Sequence, residues 1–269
     1  MIRRVHRTSL VVAGAGLVAS LVAAPPLADG LRGADVGLAP RDAVVTSALP
    51  LAGTRIALDP GHQLGNRNFP GKVNRLVNAG GFRKACNSTG TATRSGHPEA
   101  TLNFRVARLV RARLERLGAR VELTRTRNSD ALWGPCVDAR GRFGKSVGAR
   151  LMVSLHADGA PRGRGFHVIA PRSRSPWTSD IARPSLRLAR ALRAGLDAGG
   201  LPRSTYLGDG RALVRRADLG TLNLSDVPVA LVELGNMRNP SDARRMTTRT
   251  GRARYATALV RGIRLYLAR

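Results

Sequence analysis

Four residues of this chain are of the types that assemble hydrolytic metal sites: His62, Glu99, His156 and Glu233. Three of them close apolar runs. Thr54-Arg55-Ile56-Ala57-Leu58 ends in Asp59-Pro60-Gly61-His62, Leu151-Met152-Val153-Ser154-Leu155 ends in His156-Ala157-Asp158, and Val229-Ala230-Leu231-Val232 ends in Glu233-Leu234-Gly235-Asn236. Such runs read as buried strands that deliver His, His and Glu to the carboxyl edge of a sheet, where open α/β folds place their chemistry. Two neutral imidazoles and one carboxylate make the ligand set of an open zinc site, which lowers the pKa of a bound water to about 7. A further carboxylate beside that water can act as general base. Either Glu99 or Glu233 could be the third ligand, leaving the other for proton transfer. Spacing does not choose between them, and the local H-E-x-x-H zinc motif is absent.

Glu99 belongs to the clearest helix signal. His97-Pro98-Glu99-Ala100 opens it, Leu102, Val106, Leu109, Val110, Leu114 and Leu117 recur at three- and four-residue steps, and Gly118 ends it. A carboxylate in the first turn suits the helix dipole and can point back into a cleft. Position alone favours a structural role for it, and His97 competes for a functional one. Val121-Glu122-Leu123 follows as a strand, 137–150 as a helix weakened by three glycines, 165–169 as a strand, and 185–198 as a helix started by Pro184. His167 reads as a partly buried strand residue rather than a ligand, because further strand follows it. The last helix, about 251–267, would bury Tyr255, Leu259, Ile263 and Tyr266. Residues 62–98 read as a long loop with a short hairpin, and the stretch before Val229 as loop, with 219–223 a candidate cleft wall. The alternation predicts an α/β fold, a three-layer sandwich whose mostly parallel central sheet is flanked by helices, in one catalytic domain over 51–269.

Residues 1–24 read as an export signal. Arg3, Arg4 and Arg7 precede an apolar run from Ser9 to Val22 that is short for a bilayer span, and Val22-Ala23-Ala24 offers small residues for cleavage. No stable membrane insertion is expected after cleavage. Residues 25–50, with repeated Pro and Gly and no period, read as a flexible lead-in. The formal net charge of +28 favours polyanions, yet nucleic acid is not expected, since aromatics are only 4% and no helix-turn-helix or stacking-rich stretch occurs. Apart from Lys72, Lys84 and Lys145 the basic residues are scattered arginines, which suits a generally basic surface and, in an exported protein, attraction to an anionic cell envelope. Cys86 and Cys136 are the only cysteines, and outside the cytosol an even count suggests a disulfide. As zinc ligands they would normally form a close C-x₂₋₄-C pair, which they do not.

Taken together and in this order, Asp59-Pro60-Gly61-His62, the Glu99 helix with Val121-Glu122-Leu123-Thr124-Arg125 after it, Ser154-Leu155-His156-Ala157-Asp158 and Val232-Glu233-Leu234-Gly235-Asn236 resemble the zinc-dependent N-acetylmuramoyl-L-alanine amidases of the type 3 family. The resemblance covers about residues 54–268. With the two cysteines and the export signal, it is to the mycobacterial and actinobacterial branch. It implies a central sheet of six or a similar number of strands, Zn²⁺ held by His62, Glu99 and His156, and Glu233 as the catalytic glutamate. The implied reaction is hydrolysis of the amide joining N-acetylmuramic acid to L-alanine in peptidoglycan or its fragments, for wall remodelling or recycling. A secreted monomer in the periplasm or cell wall is expected, with peptidoglycan or a muropeptide as substrate; the sequence names no protein partner. Asp158 and Asn236 differ from the family's usual pattern and flank the chemistry, so they bear on substrate preference. Two alternatives are a non-catalytic basic wall- or polyanion-binding protein of this fold, and a zinc peptidase acting on wall peptides. A catalytically dead descendant would be expected to lose one of the four site residues, and all four are present.

Overall fold

A computed structural model describes residues 48–268. The expected signal over 1–24 and nearly all of the lead-in over 25–50 lie outside the described residues. No helix among the described residues is long and apolar enough to cross a membrane.

The first strand, β1 (Arg55–Pro60), is buried from Ile56 onward. A 3₁₀ turn at Leu64–Asn68 and the single-turn α1 (Pro70–Val73) lead to an antiparallel pair, β2 (Leu76–Asn78) and β3 (Arg83–Ala85), which is the short hairpin expected inside the 62–98 loop. Next, α2 (Glu99–Glu115) buries Leu102, Val106, Val110 and Leu114 along one face. Gly118, at φ 94°, turns the chain into β4 (Arg120–Leu123). The helix predicted over 137–150 is α3 (Val137–Ser146); it stops early because Gly148 takes a left-handed φ of 63°. β5 (Leu151–Asp158) is fully buried through Leu155, and β6 (His167–Pro171) starts two residues later than predicted, after Gly165 at φ 93°.

α4 (Ala182–Ala198) begins slightly before the expected start. The following stretch, predicted as loop, contains the edge strand β7 (Leu213–Arg216) and the single-turn α5 (Gly220–Asn223). β7 escapes a pattern reading because it is four residues long, half-exposed, and half arginine. β8 (Val229–Asn236) continues through Glu233 rather than ending before it. α6 (Pro240–Thr247) is an element the sequence reading lacks, although its start is well marked: the Asn239 side chain accepts from the backbone N–H groups of Ser241 and Asp242, and Pro240 opens the helix. α7 (Arg249–Leu267) buries Tyr255, Leu259 and Ile263, whereas Tyr266, expected inside, is only partly buried.

The six-stranded sheet has the order β4-β1-β5-β8-β6-β7. β4, β1, β5 and β8 are parallel, while β6 and β7 run the other way, antiparallel to β8. Connection length explains the reversal. Parallel neighbours need a crossover of a dozen or more residues, which α2, α3 and α4 provide elsewhere, whereas only residues 159–166 join β5 to β6. The sheet is therefore mixed but mostly parallel. α2, α4 and α7 cover one face, packing on Leu58, Val153 and Val232; α3 and α5 cover the other, against Met152, Ile169 and Leu231. Each fully buried large aliphatic side chain contributes about 1.5–3 kcal/mol by transfer from water.

A disulfide joins Cys86, at the end of the hairpin, to Cys136, the residue that caps α3. Its sequence separation of 50 corresponds to a stabilisation of about 4 kcal/mol in the chain-entropy model. Reduction is accordingly expected to lower the thermal midpoint in calorimetry run with and without a thiol reductant, and non-reducing peptide mapping should recover the two cysteines linked.

Candidate active site

At the end of β1 the carbonyls of Pro60, Gly61 and His62 are held by side chains. Two buried arginines take them. Arg140 of α3 donates to the carbonyl oxygens of Pro60 at 2.9 Å and His62 at 2.7 Å. Arg125, just past β4, donates to those of Pro60 at 2.9 Å, Gly61 at 3.2 Å and Ala100 at 2.7 Å. The clamp holds His62 at φ 60°, a left-handed conformation uncommon for a residue with a side chain. Asp59, wholly buried, pairs with Arg140 and accepts from Thr124 Oγ1 at 2.6 Å and Ser154 Oγ at 2.7 Å. Burial would raise the Asp59 pKa, but Arg140 and the two hydroxyls outweigh it and hold the carboxylate below its usual range. Burial, reinforced by the Arg140 charge, pushes Arg125 down to about 9.

Onto this base converge two histidines and a glutamate. His62 Nε2 lies 3.2 Å from Glu99 Oε2, and His156 Nδ1 lies 3.0 Å from Glu99 Oε1. His62 Nδ1 donates to the Ser88 carbonyl at 3.0 Å, which orients the ring and turns Nε2 toward Glu99. Glu99 opens α2 and is 3% exposed. The N–H groups of Thr91 and Ala157 and the Asn103 amide donate to its oxygens at 2.9, 3.1 and 3.1 Å. Its pKa is pulled both ways: burial raises it, but the charge of His62 and hydrogen bonds from both histidines prevail and hold it well below the usual carboxylate range. For His62 burial lowers the pKa and Glu99 more than offsets this.

Two glycines shape the space. A Cβ on Gly61 would fall 2.2 Å from His156 Cε1, and one on Gly90 would fall 2.7 Å from Glu99 Oε2 and 2.8 Å from His62 Cδ2. The three donor atoms lie within 4.8 Å of one another. Zinc–ligand bonds of about 2.0–2.2 Å put tetrahedral ligands roughly 3.3 Å apart, so His62, Glu99 and His156 fit a metal of this kind.

Glu233 stands one strand away, in register with His156 across β5 and β8 and with His167 across β8 and β6. Its Oε2 is buried and has no hydrogen-bond partner among the described residues. Burial, then repulsion by Glu99 and Asp158, raises its pKa well above the usual range, with Arg216 offsetting only part. His97 is not brought into this group; its ring lies nearer Arg105 and Arg252. A cavity of about 210 Å³ opens beside His62 and His156 and is walled by Ala85 and by Leu219, Gly220 and Thr221, so the expected wall exists, in part as α5. Asn236 is buried, and its amide donates to the carbonyls of Ala160 and Gly163 at 3.0 Å each, so it braces the loop leaving β5. Arg140 was not singled out by sequence, and Arg125 was named there only as the end of a motif, since no periodicity distinguishes two inward arginines among so many outward ones.

A carboxylate between two imidazoles, with a second carboxylate in reach, suits metal-assisted hydrolysis. The chain belongs to the N-acetylmuramoyl-L-alanine amidase family, whose sequence profile matches residues 56–265. It is similar to N-acetylmuramoyl-L-alanine amidase Rv3717 of Mycobacterium tuberculosis, with 44% identity over 227 residues that cover 82% of this chain and 90% of the relative. Among solved structures it is similar to the amidase Ami1 from Mycobacterium smegmatis, with 41% identity, a TM-score of 0.75, and coverage of 81% of this chain and 98% of that one. The apo form of Ami1 from Mycobacterium abscessus gives 42% identity, a TM-score of 0.74, and coverage of 80% and 99%.

Gly61→Ala is expected to displace the His156 ring and abolish tight metal binding in a zinc titration. Arg140→Met leaves Asp59 buried without its partner and should lower the unfolding free energy by about 3–5 kcal/mol in denaturant melts. In the wild type the depressed pKa of Asp59 means that its stabilisation is complete above the unfolded carboxylate value and is lost as pH falls. The deficit of the variant should therefore be largest at neutral pH and shrink on acidification.

Proposed function

We propose that the chain is an exported zinc amidase that hydrolyses the bond between N-acetylmuramic acid and L-alanine in peptidoglycan or its fragments. In this reading His62, Glu99 and His156 hold the zinc and Glu233 is the general base. The observation that carries it is the buried, unpartnered Glu233 Oε2 one strand from His156, beside three converging metal donors, in a chain of this family.

Bound zinc would supply Lewis acidity to the water and to the amide carbonyl. Glu233 takes a proton from the attacking water and delivers it to the departing alanine nitrogen. The C–N bond breaks, leaving a carboxylate on the lactyl group and a free amine on the peptide. Ser88, Thr91, Asn103 and the Ala157 N–H hold the ligand side chains in place throughout. Arg94 and Arg238 line a groove of about 580 Å³ beside Gly159 and present positive charge to a stem peptide rich in carboxylates.

The organisation that goes with this reading is a signal over 1–24, a lead-in over 25–50 and the catalytic domain over 51–269. The disulfide suits an oxidising compartment outside the cytosol, and the net charge of +28 suits an anionic envelope.

Digestion of muramyl dipeptide and of polymeric wall, with and without chelator, followed by mass spectrometry of the new ends, tests the reaction. A lactyl carboxylate and a free L-alanine amine are expected; cuts between amino acids would make the protein a peptidase, and no cleavage at all would favour a wall-binding role. His62→Ala and His156→Ala should each lose zinc and activity. Glu233→Gln should keep zinc while turnover falls by a factor on the order of 10² to 10⁴; near-normal turnover, or loss of metal, would remove Glu233 from the role of base.

A further inference from the structure

His167 has no part in the chemistry above, yet its surroundings are unusual. It is the first residue of β6, is 1% exposed, and lies in register with Glu233 on β8. Directly opposed residues of an antiparallel pair hold their Cβ atoms about 4.5–5.5 Å apart on one face, so the imidazole and the carboxylate are neighbours. His167 Nδ1 and Glu233 Oε2 are both buried, and neither has a hydrogen-bond partner among the described residues. Buried polar atoms are nearly always paired, and two orphaned ones carried by directly opposed residues that do not bond each other directly can be satisfied by one shared water.

The ring is also held in place. Tyr206 stands edge-on to it, with centroids 5.9 Å apart and planes at 89°. The backbone that enters β6 is tied down on three sides: Gly165 N–H donates to Asp242 at 2.6 Å, Phe166 N–H donates to Pro202 O at 2.9 Å, and Asn236 braces Ala160 and Gly163. Burial brings the His167 pKa down to about 4, with Asp158 raising it and Arg216 lowering it further, so the ring is neutral at ordinary pH and offers one donor and one acceptor nitrogen. A packing residue at this point would need neither.

We propose that His167 is a positioning residue for Glu233: hydrogen bonding between its Nδ1 and Glu233 Oε2, made through one water, fixes the orientation of the carboxylate that handles the proton. Tyr206 keeps the imidazole from rotating away. This rests on the reading of Glu233 as general base.

The test uses zinc-loaded full-length enzyme as wild type, His167→Phe, His167→Asn, Glu233→Gln and the His167→Phe/Glu233→Gln double variant. Phe preserves the ring shape without a polar atom, and the Asn amide nitrogen sits near the place of Nδ1. For His167→Phe, kcat should fall by about 10- to 100-fold, the range seen for such outer supporting groups, with KM and zinc content unchanged. His167→Asn should recover most of the loss. In the Glu233→Gln background the Phe substitution should add no more than about twofold, because two residues that act through one another are not additive. Wild-type turnover in His167→Phe, an equal loss in both backgrounds, or an effect on KM alone would overturn the proposal. If the Phe variant does not fold, His167→Leu against His167→Asn gives the same comparison. Full turnover in Glu233→Gln would sink the general-base reading itself, whereas a dead Glu233→Gln beside an unimpaired His167→Phe would sink only the role of His167.

Discussion

The Asp59–Arg140 ion pair is the constraint on which the rest of the site depends. Neither charge could remain so deeply buried alone, because removing one partner of such a pair leaves an uncompensated charge in a poorly polarisable interior. Four elements are thereby locked to one another: β1 supplies Asp59, β5 supplies Ser154, the segment after β4 supplies Thr124 and Arg125, and α3 supplies Arg140. The carbonyls of Pro60, Gly61 and His62 are then fixed as a by-product of charge neutralisation. The cluster of donors is prepared by the fold, which is how a constellation is kept close to its working geometry.

What the sequence made legible, and what it hid, follows from how each residue is used. His62, His156 and Glu233 could be found because each follows, directly or within a few residues, the buried apolar run of a strand, although β5 and β8 continue past His156 and Glu233. Glu99 could be placed at a helix start, but its function could not be separated from that of Glu233 by spacing, since contact between distant segments leaves no periodic trace. In the structure the two carboxylates differ plainly: Glu99 lies between two imidazoles and is held far below the usual carboxylate range, while Glu233 is one strand removed and pushed upward. The cysteine pair was readable from its even count. Arg140 was not, because burial of a cation depends on a partner 81 residues away.

The directions of the strands were harder to read than their existence. β6 has the same apolar character as β5, and nothing in its composition says that it runs backwards. The information lies in the connection, which is too short for a helix to cross the sheet. β7 then inherits its direction from β6 through α4, and both are concealed further by the arginines of β7.

The reversal of β6 divides the catalytic rim into two parts that can change separately. In the parallel half, residues reach the rim from the carboxyl ends of strands or, like Glu99, from the helix that follows one, and that half carries His62, Glu99 and His156, the residues proposed to hold the metal. In the reversed half a residue reaches the rim from the amino end of its strand, immediately after the loop over 159–166, which carries none of them. Lengthening, shortening or recharging that loop beyond Gly159, which packs on the Thr91 that holds Glu99, would alter the wall facing the substrate and the support beneath Glu233 without replacing any of His62, Glu99 and His156. Selection on substrate range and selection on the hydrolytic reaction can therefore act on different segments of the same sheet.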